Sequence, residues 1–303
     1  MPTKKALVLS GGGARGAYQA GCFEFFESIG YKFDVVAGTS VGSINAVAIA
    51  SGMSSQNLNE LWKSIEDHKV LKNSLTSNLW TLFSKKFSPM NDSSALRSLL
   101  EREIDFQALR TSKIEVIISA VNIGTGQLKF FRNKDIGVEH VLASCAIPLF
   151  FPWQFINGEP YWDGGIMANT PVLPAIESGA KDITVILLSP IGYKRMELPK
   201  NKNEAIERIF ELSLIGSYQN LKRGIAVEKK KFEKLNPIEA FLASFQNTYK
   251  GIDFTTIAPN DSLGLGSILN FKKSQSLRLL ASGFEDTKNL FAHKRVRQIP
   301  NAS

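Results

Sequence analysis

The chain has 303 residues, 44% hydrophobic and 21% charged, with a formal net charge of +8 at pH 7. That balance, with a mean hydropathy of -0.06, excludes an integral membrane protein built on apolar helices, because no apolar run approaches the roughly 20 residues that cross a bilayer. Two cysteines, Cys22 and Cys145, exclude a disulfide scaffold, show no metal-ligand spacing and read as reduced, buried thiols.

In chain order, Lys4 and Lys5 precede the apolar run Ala6-Leu7-Val8-Leu9. The run stops at Ser10, too short for the apolar region of a secretory leader, so it reads as a first strand over 6–10. A cytoplasmic location, with peripheral membrane contact allowed, is the expectation. The cluster Gly11-Gly12-Gly13-Ala14-Arg15-Gly16 then opens a helix over 15–29. A second strand over 33–38 runs into Gly38-Thr39-Ser40-Val41-Gly42 and a helix over 42–51, with Gly52 as its stop. Strand, tight turn and helix in succession is the context that a Gly-x-Ser-x-Gly nucleophile requires.

Helices follow over 56–68 and 92–103, the latter with Asp92 or Ser93 as its cap. Between them Leu79-Trp80-Thr81-Leu82-Phe83 and Phe87 lie among Lys72, Lys85 and Lys86, a pattern that fits either core or a segment dipping into a lipid surface. Strands over 114–121 and 128–132, helices over 137–145 and 170–178 and a strand over 182–189 continue the alternation. Such alternation predicts an α/β fold with a mostly parallel sheet covered by helices.

Residues 191–250 are long, polar and rich in Lys and Glu, and the spacing of Ile206, Ile209, Phe210 and Leu214 predicts a pair of helices packed on the core or capping it. A strand over 252–258 and a helix over 274–291 complete the chain, with no repeat and no interdomain linker. Lys222, Arg223, Lys229, Lys230, Lys231, Lys234, Lys294, Arg295 and Arg297 concentrate the positive charge, as a solvated face or as a surface for anionic membrane. No nucleic-acid-binding module accompanies that charge, so nucleic acid is not an expected partner.

The glycine cluster also satisfies Gly-x-Gly-x-x-Gly, which raises a nucleotide-binding reading with Asp34 as the acidic residue. Asp34 opens its strand, whereas a ribose-binding acid closes one, so that reading is disfavoured. As an oxyanion hole the same glycines present unobstructed amides to a developing negative charge. Arg15 beside them either steadies that oxygen or a substrate phosphate, or is a surface arginine at a helix start. The three histidines, His68, His140 and His293, fall in a charged helix, early in a helix and in the basic tail, which makes a histidine base poorly supported. Asp163, in Tyr161-Trp162-Asp163-Gly164-Gly165 after the aromatic stretch Phe150-Phe151-Pro152-Trp153, is the better base candidate. Standing alone, Asp-Gly-Gly reads as a hairpin turn.

Taken in order, Gly-Gly-Gly-x-Arg-Gly, Gly-x-Ser-x-Gly and Asp-Gly-Gly resemble the patatin-like phospholipase family over about residues 6–176, and Ala143-Ser144-Cys145-Ala146-Ile147-Pro148, Asn169 and Pro171 add to the likeness. The resemblance implies a three-layer α/β sandwich; residues 177–303, beyond its reach, are expected to complete the core as a helical, basic extension without being a separate domain. It also implies a lipid acyl hydrolase of phospholipase A or lysophospholipase type, with Ser40 as nucleophile and Asp163 as its base. Gly11, Gly12, Gly13, Arg15 and Gly16 fall at its oxyanion-hole motif, Gly38 and Gly42 at its nucleophile elbow, and Gly164 and Gly165 beside the aspartate. No metal or other cofactor is implied. The expected partner is a phospholipid or other acyl ester, with contact to anionic membrane. A thioesterase or acyltransferase on small acyl donors, and a non-catalytic lipid-binding or nucleotide-binding protein, are the alternatives.

Overall fold

The computed structural model describes residues 3–68, 92–191, 198–233, 251–261, 263–264 and 266–297. Eight strands form one sheet: β1 (Lys5–Leu9), β2 (Val35–Thr39), β3 (Glu115–Asn122), β4 (Leu128–Arg132), β5 (Gln154–Ile156), β6 (Glu159–Asp163), β7 (Asp182–Ile186) and β8 (Asp253–Ile257). Neighbours run β5-β6-β3-β2-β1-β7-β8, and β4 also pairs with β3. Strands β3, β2, β1, β7 and β8 are mutually parallel, whereas β4 and β6 run antiparallel to β3.

Both faces of the parallel strands are apolar, which is why these strands read as continuous hydrophobic runs. Leu7 and Leu9 of β1 enter one core with Val36, Val116 and Ile118, and the alternate residues Ala6 and Val8 enter the other with Val35, Ala37 and Ile117. Helices α1 (Ala17–Ser28), α2 (Val41–Ala50), α3 (Ser55–Ser64), α4 (Ser94–Glu103), α6 (Val138–Ser144) and the last helix, α10 (Lys273–Arg297), cover the first face. Short helix α8 (Val172–Glu177) and long helix α9 (Lys202–Glu233) cover the second. The result is the expected three-layer sandwich with a helical C-terminal part.

Several boundaries shift. The predicted helix over 15–29 begins as a 3-10 turn at Gly13–Gly16 before α1, and the strand predicted over 182–189 ends at Ile186. Asp92 is the residue whose Oδ1 accepts the Ser94 N–H, 3.1 Å away, whereas Ser93 makes no side-chain cap bond. Helices α5 (Phe106–Thr111) and α7 (Gly165–Ala168) and the β5–β6 hairpin are additions. That hairpin turns at Asn157 and Gly158, both at positive φ, so Asp163 ends a strand and Asp-Gly-Gly is not the hairpin's own turn.

The predicted apolar stripe on α9 is corrected at Ile209, which is 66% exposed, while Glu207 and Glu211 are buried on the inward face with Tyr218 and Ile225. The side chains of Ile206, Phe210 and Leu214 lie outside the described residues, as do Leu79 to Phe87, Lys234 and the basic tail side chains. Of the helix pair expected within 191–250, one member is described, over 202–233, and residues 192–197 and 234–250 lie outside the described residues. No helix among the described residues is long and apolar enough to cross a membrane.

Candidate active site

The sheet topology itself brings Ser40 and Asp163 together. Ala120 and Val121 of β3 pair with β4 across one edge, so β6, which pairs with the same residues, must lie along the other edge, the one that β2 uses. There β2 ends with Thr39 opposite Ser119, and β6, arriving from the other direction, ends with Asp163 opposite Ala120. Two strands therefore meet head to head beside β3, and the residues at their tips face one pocket. The Thr39 hydroxyl, 2.6 Å from that of Ser119, ties this junction together.

At the tip of β2 the chain turns sharply into α2. Ser40 has φ 54 and ψ -131, a conformation that costs a non-glycine residue of order 1–3 kcal/mol and persists only where its surroundings impose it. The imposition is visible in the motif's glycines. A Cβ on Gly38 would stand 2.1 Å from the Gly42 carbonyl oxygen, and one on Gly42 would stand 2.3 Å from that of Leu9. Backbone groups at the elbow are satisfied from elsewhere: the Ser40 N–H donates to Ser144 Oγ at 3.0 Å, and Ser43 Oγ donates to the Ser40 carbonyl at 2.6 Å. The hydroxyl stands ahead of the α2 N-terminus, whose positive dipole end favours the alkoxide.

Asp163 is 3% exposed and faces that hydroxyl. Burial pushes its carboxyl up from 3.8 to about 7, against the opposing pull of hydrogen bonds with the Ser40 side chain and the Gly165 N–H. The latter N–H donates to Oδ1 at 2.7 Å. Its own N–H is fixed on the Ala146 carbonyl at 3.0 Å, in the segment Ala143–Pro148 that the sequence singled out. Gly164 tucks against Ser119, where a side chain would clash. A carboxyl ionising near neutrality beside a hydroxyl has the proton affinity that a general base needs.

The glycine loop lies against the elbow. A Cβ on Gly11 would stand 2.9 Å from the Ser40 Cβ, and Gly12 and Gly13 line the pocket. Asn169 fixes the loop, accepting the Gly11 N–H at 3.0 Å through Oδ1 and returning Nδ2 to the Gly11 carbonyl at 3.3 Å. Among the described residues neither the Gly12 nor the Gly13 N–H meets a protein acceptor. Gly16, the residue before α1, lies in close contact with Val41 and Trp62. A buried chain of hydrogen bonds, Trp62 Nε1 to Asn45 Oδ1, Asn45 Nδ2 to Gln19 Oε1 and Gln19 Nε2 to the Ser10 carbonyl, joins the two motifs from behind.

Arg15 departs from both sequence readings. Its side chain is 2% exposed, so it is no surface arginine, and its bonds run to protein: Glu211 at 2.7 Å, Ser267 Oγ at 2.8 Å, the Gly264 and Leu188 carbonyls at 3.1 and 3.2 Å and Ser189 Oγ at 3.3 Å. With its donors directed there, and absent from the pocket wall, the guanidinium holds the glycine loop to α9 and to the segment after β8. Its charge also keeps the Glu211 carboxyl below its ordinary value, despite burial.

The pocket around Ser40 and Asp163 measures about 440 Å³, with Ile147, Phe150, Asn169, Glu207, Ile268 and Leu269 completing its wall. From Ser40 a second hollow of about 460 Å³ leads between Val41, Ile44, Trp62, Leu96 and Phe151, lined among the described residues by none that is charged. Neither described imidazole reaches either wall. His68 lies 2.8 Å from Arg102, and His140 Nδ1 accepts the Gly137 N–H at 3.1 Å while its ring meets Phe131; the side chain of His293 is outside the described residues. Asp34 accepts the Lys5 N–H at the opposite end of the sheet, as expected from its place at the start of β2. Glu207 is the pocket residue that sequence reasoning missed. Its signal was an acid pair four apart, Glu207 and Glu211, on a helix whose inward face was read from its apolar spacing alone.

Comparison with known proteins agrees with this architecture. A cGAMP-activated phospholipase of Pseudomonas aeruginosa is 28% identical over 188 residues, covering 57% of this chain and 56% of that protein. One of Vibrio cholerae is 27% identical over 211 residues, covering 59% of this chain and 58% of that protein. The chain thus spans little more than half the length of those relatives. Lysophospholipase NTE1 of Cryptococcus neoformans is 28% identical over 185 residues, 59% of this chain and 11% of that protein. The family model for patatin-like phospholipase matches residues 7–176, more than half of the protein, and takes in the glycine loop, the serine elbow and the aspartate strand alike; the chain belongs to that family.

Proposed function

We propose that the protein is a lipid acyl hydrolase of phospholipase A or lysophospholipase type, working through Ser40 and Asp163 alone. The observation that carries this reading is the meeting of the Ser40 hydroxyl and the buried Asp163 carboxyl at the tips of two opposed strands. Asp163 takes the hydroxyl proton as Ser40 Oγ bonds to the ester carbonyl carbon. The carbonyl oxygen, now negative, is held by the Gly12 and Gly13 N–H groups and the α2 N-terminus. Collapse breaks the bond to the alcohol, which leaves with the proton from Asp163, and the acyl group remains on Ser40. Water then donates a proton to Asp163 and its oxygen bonds to the acyl carbon. Release of the fatty acid returns the proton to Ser40.

The uncharged hollow beyond Ser40 suits the acyl chain, since each buried methylene gains about 0.8 kcal/mol. Leu149, Ile166 and Met167, 50%, 40% and 51% exposed, stand within two residues of the wall residues Phe150 and Gly165 and are apolar groups suited to a lipid surface.

Hydrolysis of a lysophospholipid and of a nitrophenyl ester tests the reading. Ser40→Ala and Asp163→Asn are expected to lower kcat/KM by at least about a thousandfold, and a fluorophosphonate to label wild type and not Ser40→Ala. Replacing His68, His140 and His293 together is expected to leave most activity. Near-wild-type rates in either dyad variant would overturn the assignment.

A further inference from the structure

Behind the glycine loop lies a cavity that the reaction does not use. It measures about 470 Å³, a size in the range of ligand sites, and opens between the end of β7 and α9. Ile215, Tyr218, Gln219 and Lys222 recur at helical spacing, so α9 presents all four to it along one face, over roughly 10 Å of axis at 1.5 Å per residue. Leu187, Leu188 and Ile191 supply the wall on the β7 side, and Ser10, Gly11 and Asn169 close the cavity within. Polar groups of this lining already bond to protein. Ser10 Oγ accepts the Leu188 N–H at 3.1 Å, Asn169 holds Gly11, the Tyr218 hydroxyl lies 2.8 Å from that of Thr256, and Ser189 Oγ lies 3.3 Å from both Arg15 and Glu211.

What the cavity offers an occupant is therefore apolar surface and one charge. Among the described residues Lys222 is the charged member of the wall; it is exposed and has no ion-pair or hydrogen-bond partner there. A smaller hollow of about 310 Å³, lined by Val172, Leu221, Ile225 and Phe254, shares Tyr218 and Lys222 with the first, so the ammonium stands between two apolar cavities. We infer that the larger cavity is a second site for a long-chain carboxylate, its chain between the end of β7 and α9 and its carboxylate on Lys222. The choice of a carboxylate rests on the hydrolase reading above, whose product is a fatty acid. Every methylene that leaves water favours the complex, and the ammonium at the mouth pairs with a head group that stays near solvent. Neither Ser40 nor Asp163 lines this cavity. It nevertheless adjoins the oxyanion loop, because Leu188 stands in its wall and packs on Gly12, where a Cβ would be 2.9 Å away, and Asn169 belongs to the walls of both cavities.

Equilibrium dialysis of decanoate and of decanol, each below its aggregation concentration, tests the site once the catalytic pocket is closed by a long-chain alkyl fluorophosphonate on Ser40. The labelled protein is expected to bind one decanoate per chain, and decanol, with the same chain and no charge, on the order of tenfold more weakly. Lys222→Glu changes an exposed residue. It is expected to weaken decanoate by on the order of tenfold and to leave decanol little changed. Ile215→Trp narrows the larger cavity and not the smaller one, and is expected to weaken both ligands alike.

No binding by the labelled protein would mean that the catalytic pocket alone takes the fatty acid, and overturns the inference. Equal affinities for decanoate and decanol, or a decanoate affinity that Lys222→Glu leaves unmoved, overturn it too. Affinities unchanged in Ile215→Trp would put the chain elsewhere, with the same result, and so would several decanoates per chain that respond to neither variant. If Ser40 resists the fluorophosphonate and wild type cleaves no ester, the hydrolase reading falls; the same titration of unlabelled protein, read through Lys222→Glu, then still decides the site. Cleavage that depends on Ser40, with no second decanoate bound, removes this inference alone.

Discussion

Replacing Asp163 by Asn is expected to make the protein inactive and, at neutral pH and above, more stable. In the unfolded chain this carboxyl ionises near 3.8, and in the folded protein burial raises it to about 7. The stability that a neutral carboxyl permits is complete below the unfolded value, erodes as pH rises because the unfolded state releases its proton first, and is lost once pH passes the folded value. At about 1.4 kcal/mol per pKa unit, the loss in wild type amounts to roughly 4 kcal/mol. The substituted amide cannot ionise and can still accept the Gly165 N–H, so the variant escapes that loss. Urea denaturation of both proteins from about pH 4 to about pH 8 should show the variant gaining roughly 4 kcal/mol on wild type across the range. The same titration should appear in kinetics, with wild-type kcat/KM rising through about pH 7 to a plateau. A stability difference that does not change with pH would refute the reasoning, because it would mean that burial does not hold this carboxyl neutral.

Two other expectations follow from the charge and surface arrangement. Arg15→Ala leaves Glu211, 1% exposed, with Arg208 as its one ion-pair partner among the described residues and should cost about 3–5 kcal/mol in chemical denaturation. Arg15→Lys should recover little of this, since one ammonium cannot reach acceptors spread over Glu211, Gly264, Leu188, Ser189 and Ser267. Leu149→Asp, at an exposed apolar residue next to the wall residue Phe150, should weaken flotation with phospholipid vesicles while hydrolysis of a soluble nitrophenyl ester stays near wild type. Equal flotation of both proteins would remove this residue from membrane contact.

Much of this architecture was written locally. Strands β1 to β4, β7 and β8 announce themselves as short β-rich runs, and the order of glycine loop, serine elbow and aspartate follows the chain. The β5–β6 hairpin escaped notice because its strands span only Gln154–Ile156 and Glu159–Asp163 and contain Pro160, although Asn157-Gly158 is a strong turn signal. Arg15 and Glu207 were illegible for another reason. Their environments are made by residues far along the chain, Glu211 and Ser267 for one and Gly266 for the other, and no window of sequence contains those partners. On α9 the apolar spacing misled at Ile209, because the helix packs against a charged glycine loop and turns acids inward there. Tertiary electrostatics outweighed the local pattern.

The head-on meeting of β2 and β6 makes strand β3 a ruler. Consecutive rungs of a strand are about 3.3 Å apart, and Thr39 and Asp163 occupy successive rungs, opposite Ser119 and Ala120. Sliding β6 by one residue would do more than displace its final carboxylate, for it would swing that group through to the other side of the sheet. Insertions at the Asn157-Gly158 bend should then be tolerated only when they leave the count of rungs intact, so that a small turn remote from the reacting atoms governs whether they meet at all.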